Sequence, residues 1–403
     1  MMFDYFNSLE QGLIKKINEQ PNEPNPRKKY ALAVAQLGKK LYSEDNSIAW
    51  CGVTAPFDLL SAMGITSCFV EFIGSMLAST GAIEQLLLEA EHAGYASDTC
   101  GYHRSVIGAA QKGLMPVPDI LIATSSPCSG GIAAIENLSR IYQKPLFILT
   151  IPQENSQSAI TYLANQIKEM VAFVTYHTGK KLSHDALMAS IYHSNKVRDI
   201  LCDVFELAQT VPSPADSNRL KDLVIVMALF SGSSFAVEVA QAYKDEFTYR
   251  INNHISGIKD EKIRLMWIQN RIQYKNSLIR LLEDEFNAVI VIDELNDIIW
   301  PPIDPDNPFE GLAQRAISIP FNGPVTRRIH HLQHLAKAYQ IHGAINPCHW
   351  GCRQGTGSRG LIAEGFKKIG IPVLNLEVDC VDPRNFAFGQ LKTRLEAFIE
   401  MIT

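Results

Sequence analysis

Eight short runs of β-branched and aliphatic residues, four in each half of the chain, are the feature that most narrows its possible folds. In the first half they are Ile48–Val53, Ser67–Phe72, Ile120–Thr124 and Leu146–Ile151; in the second, Ile263–Ile268, Val289–Ile292, His342–Ile345 and Val373–Leu376. Continuous apolar runs of this length read as strands buried on both faces, the habit of parallel sheets. Between them Phe57–Ala62, Ile83–Ala93, Ser105–Lys112, Gly131–Gln143, Tyr274–Phe286, Pro324–Tyr339 and Arg359–Ile369 carry the helical period, and Gly64, Gly94 and Gly113 stand where helices would stop. The expected fold class is therefore α/β: two doubly wound domains, each with a mostly parallel four-stranded sheet flanked by helices. A polar helical segment over residues 1–45 comes first, broken at Asn22-Glu23-Pro24-Asn25-Pro26 into a short helix and a longer one over about Arg27–Tyr42. A nearly all-helical stretch runs from about Asn155 to Ser256. Its interruption at Pro212-Ser213-Pro214 is the expected boundary between an α/β domain with a helical extension over 46–215 and a second α/β domain over 216–403.

Two such sheets would turn the loops at their switch points towards a shared cleft, where ligands of these folds bind. Cys128, in Thr-Ser-Ser-Pro-Cys-Ser-Gly-Gly, lies beyond the third strand of the first domain, and Cys352, in Pro-Cys-His-Trp-Gly-Cys-Arg-Gln, lies in the matching loop of the second. Cys100, in Asp-Thr-Cys-Gly-Tyr-His-Arg, starts a further helix and would be brought near Cys128 by an ordinary βα arrangement. Thiolates are preferred ligands of zinc and of iron–sulfur clusters, and three from separate loops would leave one coordination position open. Spacing alone leaves the choice between them open, because no Cys-x2-Cys pair occurs and the close pair Cys348/Cys352 has three residues between. Cys51, Cys68 and Cys202 sit in apolar contexts and read as small buried hydrophobes. Cys380 lies beside Asp379 and Asp382, which would raise its pKa, and is left out of the site.

Composition removes several other classes. With 37 Lys and Arg against 42 Asp and Glu, a formal charge of -5 and no run of five like charges, the chain has no electrostatic footprint for nucleic acid. The longest apolar run, Leu223–Phe230, falls far short of the ~18–20 residues of a membrane span. The amino terminus lacks a basic segment followed by an apolar one, so a cytoplasmic protein is expected. In that compartment eight cysteines point to thiols or metal ligation rather than a disulfide framework.

The run His349-Trp-Gly-Cys-Arg-Gln354, then Gly370-Ile-Pro-Val-Leu-Asn-Leu-Glu-Val-Asp379, then Asp382, Arg384, Gln390 and Thr393-Arg-Leu-Glu-Ala-Phe398, resembles the carboxyl-terminal signature of the 2-hydroxyacyl-CoA dehydratase and benzoyl-CoA reductase subunit family. The amino half agrees through Thr54-Ala-Pro56, Ala62-Met-Gly64, Thr99-Cys-Gly-Tyr102, the Cys128 loop and Leu149-Thr-Ile-Pro152. Pro56-Phe57-Asp58 stands where family members tend to carry Pro followed by two acidic residues. The resemblance implies one [4Fe-4S] cluster per chain on three cysteines, which map onto Cys100, Cys128 and Cys352, with the fourth iron open to water, sulfide or the substrate thioester. It further implies an acyl-CoA substrate, a related second subunit in a heterodimer or homodimer, and an ATP-dependent iron–sulfur activator protein. The implied chemistry is that of a lyase: a single electron forms a ketyl radical on a 2-hydroxyacyl-CoA, hydroxide leaves from C2, a β-proton is lost and the electron returns, giving an enoyl-CoA. The alternatives are an oxidoreductase, reducing an aromatic acyl-CoA in the manner of benzoyl-CoA reductase; a branch with an [8Fe-9S] double cubane, which eight cysteines keep open; and a non-catalytic electron-relay or structural subunit. Cys348, four residues before Cys352, is a rival to it as a ligand.

Thr54, just past the first strand, is a candidate for contact with the substrate carbonyl or the open iron, with helix capping as its ordinary role. His103 and Arg104, next to Cys100, are candidates for tuning the cluster or meeting CoA phosphates. The sequence assigns no proton acceptor; Asp293-Glu294 at a strand end is weighed as one and set aside. Gly355-Thr-Gly-Ser-Arg-Gly360 satisfies G-x-G-x-x-G but follows its strand at too great a distance for a dinucleotide turn, and its glycines are read as letting backbone approach the bound group. His330, His331 and His334 read as a helix face, and Asp304-Pro-Asp306-Asn307 as a rigid loop able to cover the cleft.

Overall fold

The computed structural model describes residues 2–21 and 23–403; Asn22, at the expected break between the first two helices, lies outside the described residues. Helices Met2–Asn18 and Pro26–Leu41 form the amino-terminal segment, the first as long as the second rather than short. The first sheet holds β1 (Ser47–Cys51), β2 (Ile65–Phe69), β3 (Ile120–Thr124) and β4 (Leu146–Leu149) in the order β2-β1-β3-β4, every pair parallel. The second holds β5 (Ile263–Trp267), β6 (Ala288–Asp293), β7 (Gly343–His349) and β8 (Val373–Val378) in the order β6-β5-β7-β8, again all parallel. The two halves therefore share one strand order. In each, the direction of winding reverses between the first and third strands, so β1/β3 and β5/β7 are the switch points at which a ligand crevice opens.

All eight expected strands are present, and two boundaries differ informatively. β2 stops at Phe69 because Val70 opens a helix, Val70–Ser79, whose Val70 and Phe72 are buried. An apolar run continued from strand into the inner face of a helix has no change in pattern to mark the join. β7 continues to His349, well past Ile345, because its polar tail is paired to β8: Asn346 Nδ2 donates to Asn375 Oδ1 at 2.9 Å. Helices Pro308–Ser318 and Phe388–Ile402 are also present without having been expected. Gly64, Gly94 and Gly113 each take positive φ where a helix ends, as their positions suggested.

The halves interlock. Leu312, Ala313 and Ile317 of helix Pro308–Ser318 enter the core of the first sheet, and helix His184–Leu207 buries Leu187 and Ile191 in that core while Val197, Leu201 and Val204 enter the core of the second. Ile83, Leu87 and Tyr102 pack against Leu265, Trp267 and Val378 of the second sheet. Each fully buried aliphatic side chain of this kind contributes roughly 1.5–3 kcal/mol, which fixes how the two crevices face each other.

Candidate functional site

Between the carboxyl ends of the two sheets lies a cavity of about 780 Å³, lined by residues following β1, β2, β3, β5, β6 and β7. Cys100, Cys128 and Cys352 all line it, and none of the other five cysteines does. Each of the three is the N-cap of a helix: Cys100 of Gly101–Gln111, Cys128 of Ser129–Tyr142 and Cys352 of Arg353–Lys367. A thiolate at such a position faces unpaired backbone N–H groups and the positive end of the helix dipole. Gly355 N–H reaches Cys352 Sγ at 3.3 Å. Burial pushes all three thiols up in pKa, and backbone N–H groups at residues 102 and 103, 130 and 131, and 354 and 355 pull each back. The charge of Cys352 raises both other thiols, so the three sulfurs share one field.

Cys100 comes from the first half but is seated on the second. A Cβ at Gly351 would stand 2.1 Å from Cys100 Cα, so only glycine allows this approach. Cys100 Sγ lies 3.2 Å from Nε2 of His349, the last residue of β7. Arg104 is buried; its Nε donates to Thr99 O at 2.8 Å, and its guanidinium pairs with Glu91 at 2.6 Å and Asp382 at 3.1 Å. It holds the Cys100 loop in place and is not free to meet CoA phosphates as the sequence suggested.

The remaining candidates are placed as follows. Thr54 lines the cavity and does not cap a helix; its hydroxyl donates to Ser126 O at 2.9 Å, leaving its oxygen to accept. Cys348 lies inside β7, where side chains alternate between faces, and its sulfur meets Asn346 O and Asn375 Oδ1, each at 3.6 Å, away from the cavity. Cys51, Cys68 and Cys380 are fully buried, whereas Cys202 is partly exposed and not the buried hydrophobe expected. Glu294 is clamped by Arg328 at 2.5 and 2.8 Å. Burial raises the pKa of Asp293 despite Arg271 at 3.4 Å. Gly355, Gly357 and Gly360 lie within a helix, not at a strand-to-helix turn; Gly355 makes room for Gln269, and the other two face open space. His330 and His334 are exposed, and His331 sits 3.7 Å from Asp297. Trp300, preceding the Asp304 loop, forms part of the cavity wall.

Two residues escaped the sequence reading. Glu71, just past β2, lines the cavity, with Oε1 3.2 Å from His103 Nε2 and Oε2 buried without a partner. Its place after a strand's carboxyl end, shared with Thr54 and Cys128, was the available signal. His349 belongs to the recognised motif, but its direction depends on β7 reaching that far. The rest of the wall is largely apolar, including Phe69, Phe72, Met76, Ile151 and Phe321. Among the described residues no group of three His, Cys, Asp or Glu side chains converges closely enough for a single metal ion. Cys100, Cys128 and Cys352, on the wall of one cavity and each with backbone N–H groups at its sulfur, are the residues whose chemistry fits a thiolate-bound group there. No helix among the described residues is long and apolar enough to cross a membrane.

Comparison with known proteins agrees with the motifs. The family model for the 2-hydroxyglutaryl-CoA dehydratase D-component matches residues 52–402. The chain is 27% identical over 349 residues to a benzoyl-CoA reductase subunit of Thauera aromatica, covering 79% of each. It is 23% identical over 386 residues to the (R)-phenyllactyl-CoA dehydratase alpha subunit of Clostridium sporogenes, covering 92% of each. It is 22% identical over 391 residues to the lactoyl-CoA dehydratase alpha subunit of Anaerotignum propionicum, covering 88% of this chain and 90% of that one. With both switch-point crevices meeting at three cysteine-capped helices and the family model spanning both halves, the chain belongs to the 2-hydroxyglutaryl-CoA dehydratase D-component family.

Proposed function

We propose that this chain is the iron–sulfur subunit of a radical 2-hydroxyacyl-CoA dehydratase, with Cys100, Cys128 and Cys352 as ligands of one [4Fe-4S] cluster. The observation that carries the reading is that these three cysteines, and no other, line the cavity between the sheets, each at a helix amino end. That only three thiols line the cavity favours a single cubane over the [8Fe-9S] alternative. When bound, the cluster would supply one low-potential electron to the substrate thioester, so that hydroxide leaves C2, a proton leaves C3 and the electron is recovered. The protein's part is to orient and to exclude water. Backbone N–H groups at the three caps offset negative charge on the sulfurs, and the apolar wall keeps the acyl group dry. Thr54 offers an acceptor beside the Cys128 loop, and Glu71 with His103 offers a carboxylate and an imidazole on the same wall. In this reading the chain works with a second, related subunit and an ATP-dependent iron–sulfur activator.

A second reading is reduction of an aromatic acyl-CoA, favoured by the 27% identity to a benzoyl-CoA reductase subunit. Anaerobic purification with iron, sulfide and zinc quantification, and EPR of the reduced protein, tests the site in the parent and in C100A, C128A and C352A. About four irons and four sulfides per chain, lost in all three variants, is the expected result. About eight irons would point to the double cubane, and no iron in a folded chain would overturn the radical mechanism. Turnover of 2-hydroxyacyl-CoA against aromatic acyl-CoA substrates, with an activator present, then separates the two readings.

A further inference from the structure

Cys100 is the one site cysteine with a side-chain hydrogen-bond partner among the described residues, His349 Nε2 at 3.2 Å. The proton on that imidazole can be placed from its other side. The backbone N–H of Cys380 points at His349 Nδ1 at 3.0 Å, and an amide nitrogen can only donate, so Nδ1 carries a lone pair. The nearby Asp379 Oδ1, 3.5 Å from Nδ1, already accepts from the backbone N–H groups of Val381 at 2.8 Å and Asp382 at 2.9 Å. The ring proton therefore sits on Nε2 and is directed at sulfur. The ring is fully buried with Tyr102 edge-on at 5.5 Å, so no water competes for that proton. Cys100 belongs to the first half and His349 ends β7 of the second, so the bond also joins the two sides of the cavity.

We propose that His349 is a positioning residue that donates from Nε2 to the Cys100 sulfur, fixing that ligand across the two halves and raising the reduction potential of the group it holds. An N–H donor to a cluster thiolate withdraws charge from sulfur and stabilises the more negative, reduced state. Backbone donors reach all three cysteines, and side-chain substitution cannot remove them, so the additional His349 donor at Cys100 is the adjustable one. The inference about potential rests on the cluster reading above.

The test uses the full-length chain purified without oxygen, as parent, H349L and H349Q, with iron content and EPR-monitored redox titration measured on each. H349L is expected to keep about four irons while its reduction equilibrium becomes about tenfold less favourable, ~59 mV more negative for one electron. H349Q, which can still offer an N–H to sulfur, is expected to recover most of that shift. Full iron content in H349L with an unmoved midpoint would overturn the proposal. Imidazole 15N spectra of the parent, labelled at histidine, read the hydrogen bond without turnover or cluster: a neutral ring protonated on Nε2 supports it, and protonation on Nδ1 overturns it even if H349L fails to fold. A parent without iron removes the cluster reading and the claim on potential together, and the same spectra then decide the hydrogen bond alone.

Discussion

A buried carboxylate is tolerated only with partners, and Asp58 has a full set: Arg315 at 2.7 and 2.9 Å, Ser194 Oγ at 2.8 Å and the backbone N–H of Leu59 at 3.0 Å. Burial alone would raise its pKa, but the Arg315 charge and these hydrogen bonds outweigh it and hold the group below the ordinary carboxylate value. This residue of the Pro56-Phe57-Asp58 segment thus acts in packing, tying helix Phe57–Ala62, which follows β1, to helix Pro308–Ser318. Arg315→Ala would leave the charge buried without its main counter-ion, at a cost of about 3–5 kcal/mol in denaturant unfolding near pH 7. A depressed folded-state pKa means the stabilisation is present above the unfolded-state value of about 3.9 and is lost as pH falls through the lower folded-state value. The gap between parent and variant should therefore close as pH is taken below ~4, and a gap constant from pH 7 to 3 would show that the pair is not its source.

Each site cysteine owes its position to a whole helix. Helix Gly101–Gln111 is buried along nearly its entire length and pressed onto helix Ile83–His92, so that a Cβ at Gly108 would lie 1.9 Å from Leu86 O. That atom belongs to backbone, which cannot swing aside. Gly108→Ala is expected to destabilise the chain by about 1–3 kcal/mol or more. Because Cys100 caps the same helix, the variant should also retain less metal than the parent when both are prepared anaerobically. A folded G108A with unchanged melting temperature and metal content would show that helix packing does not set the cysteine's place.

At the scale of the molecule, the two sheets repeat one strand order, and the crossing elements align their crevices. Arg104, joined to Glu91 on one side and to Asp382 on the other, is one of the ties between the halves. The arrangement sorts the eight cysteines into two sets: Cys51, Cys68, Cys348 and Cys380 are buried, and Cys100, Cys128, Cys202 and Cys352 are partly exposed. Metal-free protein should therefore show no more than four thiols reactive to a bulky disulfide reagent when native and eight when denatured. In the metal-loaded protein Cys202 alone of the exposed set should stay reactive, and mass mapping of the labelled residues checks both statements.

The strands, their grouping by halves and the three cleft cysteines were legible in the sequence, because a parallel strand buried on both faces must be a short apolar run and its carboxyl-end loop must meet the crevice. The family was legible too, from motifs that run from Thr54 to Phe398. What could not be read locally was any feature made by a distant partner. Cys348 looked like a rival ligand until pairing with β8 placed it inside β7, facing away from the cavity. Arg104 looked available to a ligand until Glu91 and Asp382 enclosed it, and helix Pro308–Ser318 gave no sign that it would enter the core of the first sheet. Pattern along the chain determines which face of an element is buried; which polar groups are used up inside, and which thiol faces which imidazole, is decided only when segments hundreds of residues apart are packed together.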